Sequence, residues 1–291
     1  MILFEWYNDL YDIAESIDDT SISRSINIAK KYINNIDDIV KELEYGCGYY
    51  IIKNVPIDDH IPAPPYNGLR PYNKGYISEL ALAGITGALG YNVFSYLQEK
   101  KGAFFHDITP VCGKEETRSS NGVVDFSFHT DAAYLNRELR PETLSLLCIN
   151  NDSKTATQVI SLNKLLDILP ESIIKILKSN EFIIRSPDSF DIKEEIRASV
   201  LYEHEESLEI QLSIECTNAL NYEAEKSLRF LSDAADAAAS NLMWDKGDFL
   251  IFNNRRTLHG RKEIKGKRWL QRCYGSKTIP PYKIINLEER E

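Results

Sequence analysis

The chain has 291 residues, 43% of them hydrophobic, with a formal net charge of -10 and a pI near 5.2. That length and apolar content support a full hydrophobic core in one domain over 1–291, and the acidic balance excludes a basic nucleic-acid-binding surface. The five scattered cysteines form no Cys-x-x-Cys pair, which argues against a disulfide framework or a structural zinc site; with an N-terminus lacking a basic n-region they point to the cytoplasm, and no apolar run reaches the ~20 residues that span a bilayer.

Residues 1–45 are expected to be a helical N-terminal part. Asp19, Thr20 and Ser21 offer N-caps, and Ile26, Ala29, Tyr32, Ile33, Ile36, Val40 and Leu43 recur near helical spacing, so one helix is expected over 20–45, stopping at Gly46. Tyr49–Ile52 is a buried strand, and Pro62, Pro64, Pro65 and Pro71 mark a long loop. A helix is expected from Tyr76 to about Leu89, a strand over Leu144–Ile149, and a helix over Leu162–Ser179 interrupted at Pro170. Short strands follow at 182–184, 199–202 and 208–214, the last with period-2 alternation. Alanine-rich Ala219–Leu242 is helical. The turn Trp244–Asp248 feeds a strand over Phe249–Phe252, and Trp269–Tyr274 is the final core strand. Many short strands separated by turns predict a mainly β fold, a jelly roll (double-stranded β-helix) core with flanking helices.

The chemistry-bearing residues cluster late in each half. In the run Phe126–Asp131, an extended backbone would point His129 and Asp131 the same way, so that an imidazole and a carboxylate could grip one ion. The tripeptide alone recurs by chance. Further along, His259 would complete two histidines and one carboxylate, the facial set of non-haem iron sites. Arg268 and Arg272 lie four residues apart on an apolar strand, and period 2 aims both at one face. Buried guanidinium groups are costly unless paired, and few acidic residues sit on the core strands, so ligand carboxylates are the expected partners. Thr155 or Thr157 could complete such a site, and Ser119 and Ser120 precede the metal motif. Glu209, Gln211, Ser213 and Glu215 share one face of the 208–214 strand, as a solvent face or as a pocket wall. His106, Asp107 and Asp125 are assigned no role, nor is Lys100.

The ordered set His129-x-Asp131, Thr157, the passage Trp244 to Arg261 (Gly-Asp, hydrophobic strand, Asn-Asn-Arg, then His-Gly-Arg) and Arg268-Trp269-Leu270-Gln271-Arg272 resembles the Fe(II)/2-oxoglutarate-dependent dioxygenases of the taurine dioxygenase and clavaminate synthase type. The similarity covers about 95–165 and 240–276 and is greatest to hydroxylases of free arginine, asparagine and lysine. It implies Fe(II) on His129, Asp131 and His259, with 2-oxoglutarate and O2 taking the open positions. It further implies Arg268, helped by Thr157, on the distal carboxylate of 2-oxoglutarate, and Arg272 on the substrate's own carboxylate. Three departures stand out. Asp131 replaces the glutamate common in that branch, the interval from His259 to Arg268 is short, and Glu99-Lys100-Lys101-Gly102 replaces a Glu-Gln pair before glycine.

The function this implies is hydroxylation of an unactivated C–H of a free L-amino acid in secondary metabolism, with release of succinate and CO2. A basic side chain is expected, lysine ahead of arginine, received by Gln211, Ser213 and their acidic neighbours, with Ser119 also on the substrate. The alternatives are desaturation or cyclisation by the same oxidant, action on a peptide or carrier-tethered residue, and a non-catalytic jelly-roll binding protein.

Overall fold

In the computed structural model, which describes residues 2–187, 193–279 and 284–285, helices come first and strands dominate the rest. Helices α1 (Ile2–Tyr11), α2 (Asp19–Tyr32) and α3 (Ile36–Glu44) precede β1 (Tyr49–Ile52), and α4 (Ile77–Ala88) precedes β2 (Asn92–Tyr96) and β3 (His106–Ile108). Strands β4 (Phe126–His129), β5 (Thr143–Asn150) and β6 (Thr157–Ser161) lead to α5 (Leu162–Ile168) and α6 (Glu171–Leu177). Next come β7 (Phe182–Arg185), β8 (Glu195–Ala198), β9 (Leu201–His204), β10 (Ser207–Ile210) and β11 (Thr217–Ala219). The long helix α7 (Tyr222–Ala238) and β12 (Ser240–Leu242) precede β13 (Phe249–Asn253), β14 (Thr257–Arg261) and β15 (Trp269–Ser276), and β16 (Ile284–Ile285) pairs with β2.

Two sheets carry the site. The larger runs β1-β13-β5-β15-β2-β16, with β3 also paired to β15; the smaller runs β12-β6-β14-β4. This is the expected double-stranded β-helix. Its central strands are buried on both faces, and period 2 sorts their side chains. Leu147, Ile149, Phe249, Ile251, Trp269 and Cys273 pack in one core with residues of α2 and α4. Leu144, Leu146, Cys148, Leu250, Phe252, Leu270 and Tyr274 pack in a second core on the opposite face. A third core joins Phe128, Ile160 and Leu258 of the smaller sheet to α5, α6 and α7. Arg268 and Arg272 fall in register with Leu270 and Tyr274, so both face the interior between the sheets. Gln271, on the other face, donates to Glu79 (3.0 Å) and Asp107 (3.1 Å), and Glu79 belongs to a buried ion cluster with Lys74 and Asp58.

Several expectations shift in detail. The 20–45 helix is two helices: Asp18 caps α2 in a reciprocal box with Ser21, Ile33 leaves the helix at φ -106°, ψ 103°, and Asn35 starts α3. The apolar period runs through Asn34 and Asn35, but asparagine favours caps over helix interiors. Helix α1 lies within the helical N-terminal part expected over 1–45, although no separate helix had been delimited there. The alanine-rich segment is helical only over Tyr222–Ala238, with Asn221 accepting from the Ala224 N–H at 2.9 Å, and strands β11 and β12 flank it. Most consequential, β10 stops at Ile210. Beyond it, Leu212 accepts from the Thr130 N–H at 2.7 Å and Ser213 bridges to His129, so the chain has left its hairpin for the end of β4. Among the described residues, no helix is long and apolar enough to cross a membrane.

Candidate active site and metal centre

Antiparallel pairing of β4 with β14 places His129 directly opposite His259. The register slips just after, between His259 and Arg261, where Gly260 lies so close to the Phe126 carbonyl that a Cβ would meet it at 2.9 Å. That bulge re-aims the strand beside the site. Asp131 follows two residues after His129, in the turn beyond β4. The Asn254 side chain holds its backbone, accepting from the Asp131 N–H at 2.8 Å and donating to the Asp131 carbonyl at 2.9 Å. Asn254 also donates to the Pro141 carbonyl at 3.1 Å.

The three side chains converge as expected, with ligand atoms of His129, Asp131 and His259 all within 4.8 Å of one another and all three residues buried. Asp131 Oδ1 lies 3.4 Å from His129 Nε2 and 3.7 Å from His259 Nε2. His129 Nδ1 is 2.9 Å from the Ser127 carbonyl, which can only accept, so Nδ1 carries a proton and Nε2 is the nitrogen that faces Asp131. Burial, then the neighbouring His129, lowers the His259 pKa well below the ordinary histidine value, which keeps that ring neutral. Burial raises the Asp131 carboxyl, but Arg272 and the two histidines outweigh it and hold it ionised. Two imidazoles and one carboxylate, all on one side, fit Fe(II) with open positions opposite.

Two adjoining cavities meet at this centre and share Ser120, Phe126, His129 and Arg272 as walls. The second cavity is lined by Ile108, Leu144, Leu146 and Leu270 and ends on Thr157 and Arg268. Arg268 donates to the Thr157 hydroxyl at 2.9 Å, its Nε has no partner, and it makes no ion pair with a described residue. Burial, then Arg261 nearby, pushes the guanidinium down to about 9. A buried cation without a counter-ion calls for an anionic ligand. An apolar passage between the metal ligands and an unmatched guanidinium fits a short aliphatic dicarboxylate such as 2-oxoglutarate. Thr155 is not part of this contact; its hydroxyl reaches the Glu263 carbonyl at 3.3 Å.

Arg272 departs from expectation. It reaches the same centre, but it does not lack acidic partners: Nη1 donates to Asp131 Oδ2 at 2.7 Å and Nη2 to Glu99 Oε1 at 2.5 Å. Glu99 Oε2 in turn accepts from the Tyr274 hydroxyl at 2.8 Å. Burial opposes the Arg272 charge, yet Glu99, Tyr274 and Asp131 raise its pKa further. His106 lies beneath, accepting from Arg272 at Nδ1 (2.6 Å) and placed by Nε2 against the Ala103 carbonyl (2.8 Å); burial pushes it down to about 4, so it stays neutral.

The other candidates separate. Ser119 and Ser213 line the first cavity, and Ser120 lines both. Gln211 is buried but lines neither, because the strand that would have aimed it there ends at Ile210. Glu209 is bound to Arg137 (2.9 and 2.6 Å) and to Tyr202 (2.6 Å), away from both cavities. Glu215 does reach the first cavity, already held by Arg118 (2.9 Å) and Ser127 (2.6 Å). Lys100 lines neither cavity, with Nζ 3.4 Å from Asn121. Asp107 accepts from the Trp269 indole at 2.7 Å, and Asp125 from the Glu263 N–H at 2.6 Å. Glu99, named from sequence only within a departure from the family pattern, and Asn254 and Arg261, inside the recognised motif, had been given no role.

Comparison with known proteins agrees with this geometry. The family model described as taurine catabolism dioxygenase TauD, TfdA family matches residues 80–274. L-asparagine oxygenase of Streptomyces coelicolor is 30% identical over 240 residues, covering 78% of this chain and 70% of that protein. Clavaminate synthase 2 of Streptomyces clavuligerus is 26% identical over 247 residues, covering 78% and 73%. Among solved structures, asparagine oxygenase in complex with Fe(II), 2S,3S-3-hydroxyasparagine and succinate superposes with a TM-score of 0.85 at 23% identity, covering 95% of this chain and 91% of that one. A facial ligand set opening onto an unmatched buried guanidinium, on this fold and in this sequence context, places the chain in the TauD/TfdA family as a 2-oxoglutarate-dependent dioxygenase that uses Fe(II) and O2.

Proposed function

We propose that the protein hydroxylates an unactivated C–H of a free L-amino acid, releasing succinate and CO2. The observation that carries this reading is the Arg272–Glu99 pair. Both residues are buried, both line the first cavity, and they sit beside the metal ligand Asp131. A guanidinium and a carboxylate together match the carboxylate and ammonium of a zwitterion, and Arg272 Nε remains without a partner. The oxygenase acting on asparagine, 30% identical, supports the same class.

Bound iron, 2-oxoglutarate and O2 supply the oxidant that removes hydrogen from carbon. The chain's own residues bind and orient. Arg268 and Thr157 would hold the distal carboxylate of 2-oxoglutarate, His129, Asp131 and His259 the iron, and Arg272 the amino acid's carboxylate. Ser119 and Ser213 line the substrate side. Such positioning sets which C–H lies within reach.

We read the cavity as suited to a neutral polar side chain as well as to the basic one expected from sequence. Of the acidic and polar face, only Ser213 and Glu215 remain at the cavity, and Arg118 already neutralises Glu215. Among the described residues the charged lining balances: Glu99, Asp131 and Glu215 against Arg118, Arg185 and Arg272. A lysine or arginine tail would compete with Arg118 for Glu215. Turnover should therefore be followed by mass spectrometry across asparagine, glutamine, lysine, arginine, ornithine and glutamate, with Fe(II), 2-oxoglutarate and ascorbate. A gain of one oxygen on a free amino acid is expected, and a loss of two hydrogens would redirect the outcome to desaturation or cyclisation. Activity confined to a peptide or tethered residue would defeat the role of Arg272. Five free cysteines support a cytoplasmic setting.

A further inference from the structure

Arg261 follows the iron ligand His259 by two residues and is 5% exposed, yet no described carboxylate lies within ion-pair distance of it. Its partners are backbone carbonyls. Nη1 donates to those of Val123 (3.2 Å), Val124 (3.0 Å) and Lys262 (3.1 Å), and Nη2 to those of Ser119 (3.1 Å) and Gly122 (2.9 Å). Four of these five carbonyls belong to one loop segment, 119–124, between β3 and β4. A guanidinium offers its donors in a fixed planar fork, so one side chain sets the path of that segment. The segment carries Ser119, a wall of the first cavity, and Ser120, a wall of both. Its path is tight: a Cβ on Gly122 would meet the Thr117 carbonyl at 1.8 Å.

We infer that Arg261 is a positioning residue of this oxygenase: it fastens residues 119–124 across the junction of the two cavities, and so holds the wall that separates amino acid, 2-oxo acid and water. The bulge at Gly260 re-aims the strand between His259 and Arg261. Arg261 also lines the second cavity with Arg268, and the two like charges oppose each other there. A dianion in that cavity would relieve the opposition, which ties order in the loop to 2-oxo acid occupancy.

The coupling arm of the test rests on the amino-acid reading above; the exchange arm does not. Full-length Arg261→Gln and Arg261→Lys would be compared with the parent by amide hydrogen exchange, without metal or substrate. Arg261→Gln is expected to speed exchange about tenfold at Asn121, Gly122 and Val123, with the peptides of β5, β13 and β15 unchanged. Arg261→Lys, keeping the charge and some donors, should restore most of that protection. In turnover, Arg261→Gln should lower the ratio of hydroxylated amino acid to succinate by about threefold, whereas a general loss of folded enzyme would lower both together. Unchanged exchange at 119–124 overturns the inference, as does exchange rising throughout the fold in both variants. Weakened 2-oxoglutarate binding with an undisturbed loop also overturns it, making Arg261 a ligand of the oxo acid instead. If no free amino acid is hydroxylated, the proposed substrate fails and the exchange result still decides the role of Arg261.

Discussion

His259 and His129 are direct partners in the register of β14 and β4, so the ladder of the smaller sheet itself sets the spacing of two metal ligands. Strand positions are among the more rigid supports a site can have. The third ligand has no such support, since Asp131 lies beyond the end of β4 and depends on Asn254.

Alanine at His129, Asp131 or His259 is expected to abolish succinate formation and leave the fold intact. Metal affinity, followed with Co(II) by absorbance, should fall by more than the roughly 100-fold upper limit typical of residues that only orient a ligand. A His259→Ala protein with near-normal turnover would remove His259 from the centre.

Arg268→Lys keeps the charge and loses the planar fork. Replacing a charge-assisted, two-point contact of roughly 1.5–3 kcal/mol should weaken 2-oxoglutarate binding by about 10- to 100-fold. The apparent affinity for the amino acid should hardly move. Equal losses, or loss for the amino acid alone, would exchange the roles of Arg268 and Arg272.

Asn254→Ala leaves the buried Asp131 N–H and the Asp131 and Pro141 carbonyls without their partner. Urea unfolding should register a loss of about 1–3 kcal/mol. Co(II) titration should show affinity down roughly 10- to 100-fold, as for other residues that orient a ligand. Destabilisation with unchanged metal affinity would show that Asp131 finds its place without the bracket.

Arg118→Ala releases Glu215 at the mouth of the first cavity. Arg118 is mostly exposed, so the pair is worth only about 0.2–1 kcal/mol, and the shift should be modest. Relative kcat/KM for lysine or arginine over asparagine should rise up to about fivefold. An unchanged ratio would place the substrate side chain away from Glu215.

What the sequence revealed follows the range of the forces involved. His129, Asp131 and His259 were legible as candidate ligands because strand period 2 and ligand chemistry are local properties, whereas the choice of Thr157 over Thr155 beside Arg268 came from the family resemblance. The acidic partner of Arg272 was not legible, since Glu99 lies 173 residues away in sequence and on no core strand. The polar face of 208–214 divides, with Ser213 and Glu215 at the first cavity and Glu209 and Gln211 away from it. Its alternation is real through Ile210, but Leu212 and Ser213 pair with the end of β4, and such a change of partner leaves no mark on hydropathy. The buried cluster of Lys74, Asp58 and Glu79 lies in and beside a proline-rich stretch that the sequence marks only as a loop.

Strand β15 carries Arg272 on one face, with Arg268 just ahead of it in register, and Trp269, Gln271 and Cys273 on the other, locked against the helical layer. Any change there alters the scaffold as well as the chemistry, which makes β15 a poor place for new substrate preferences to arise. Among the described residues, positions that touch the first cavity without serving a core include Arg118, Arg185, Ser213, Glu215 and Cys216. Divergence in substrate range, by natural drift or in a directed library, should accumulate there while the strand behind it stays still.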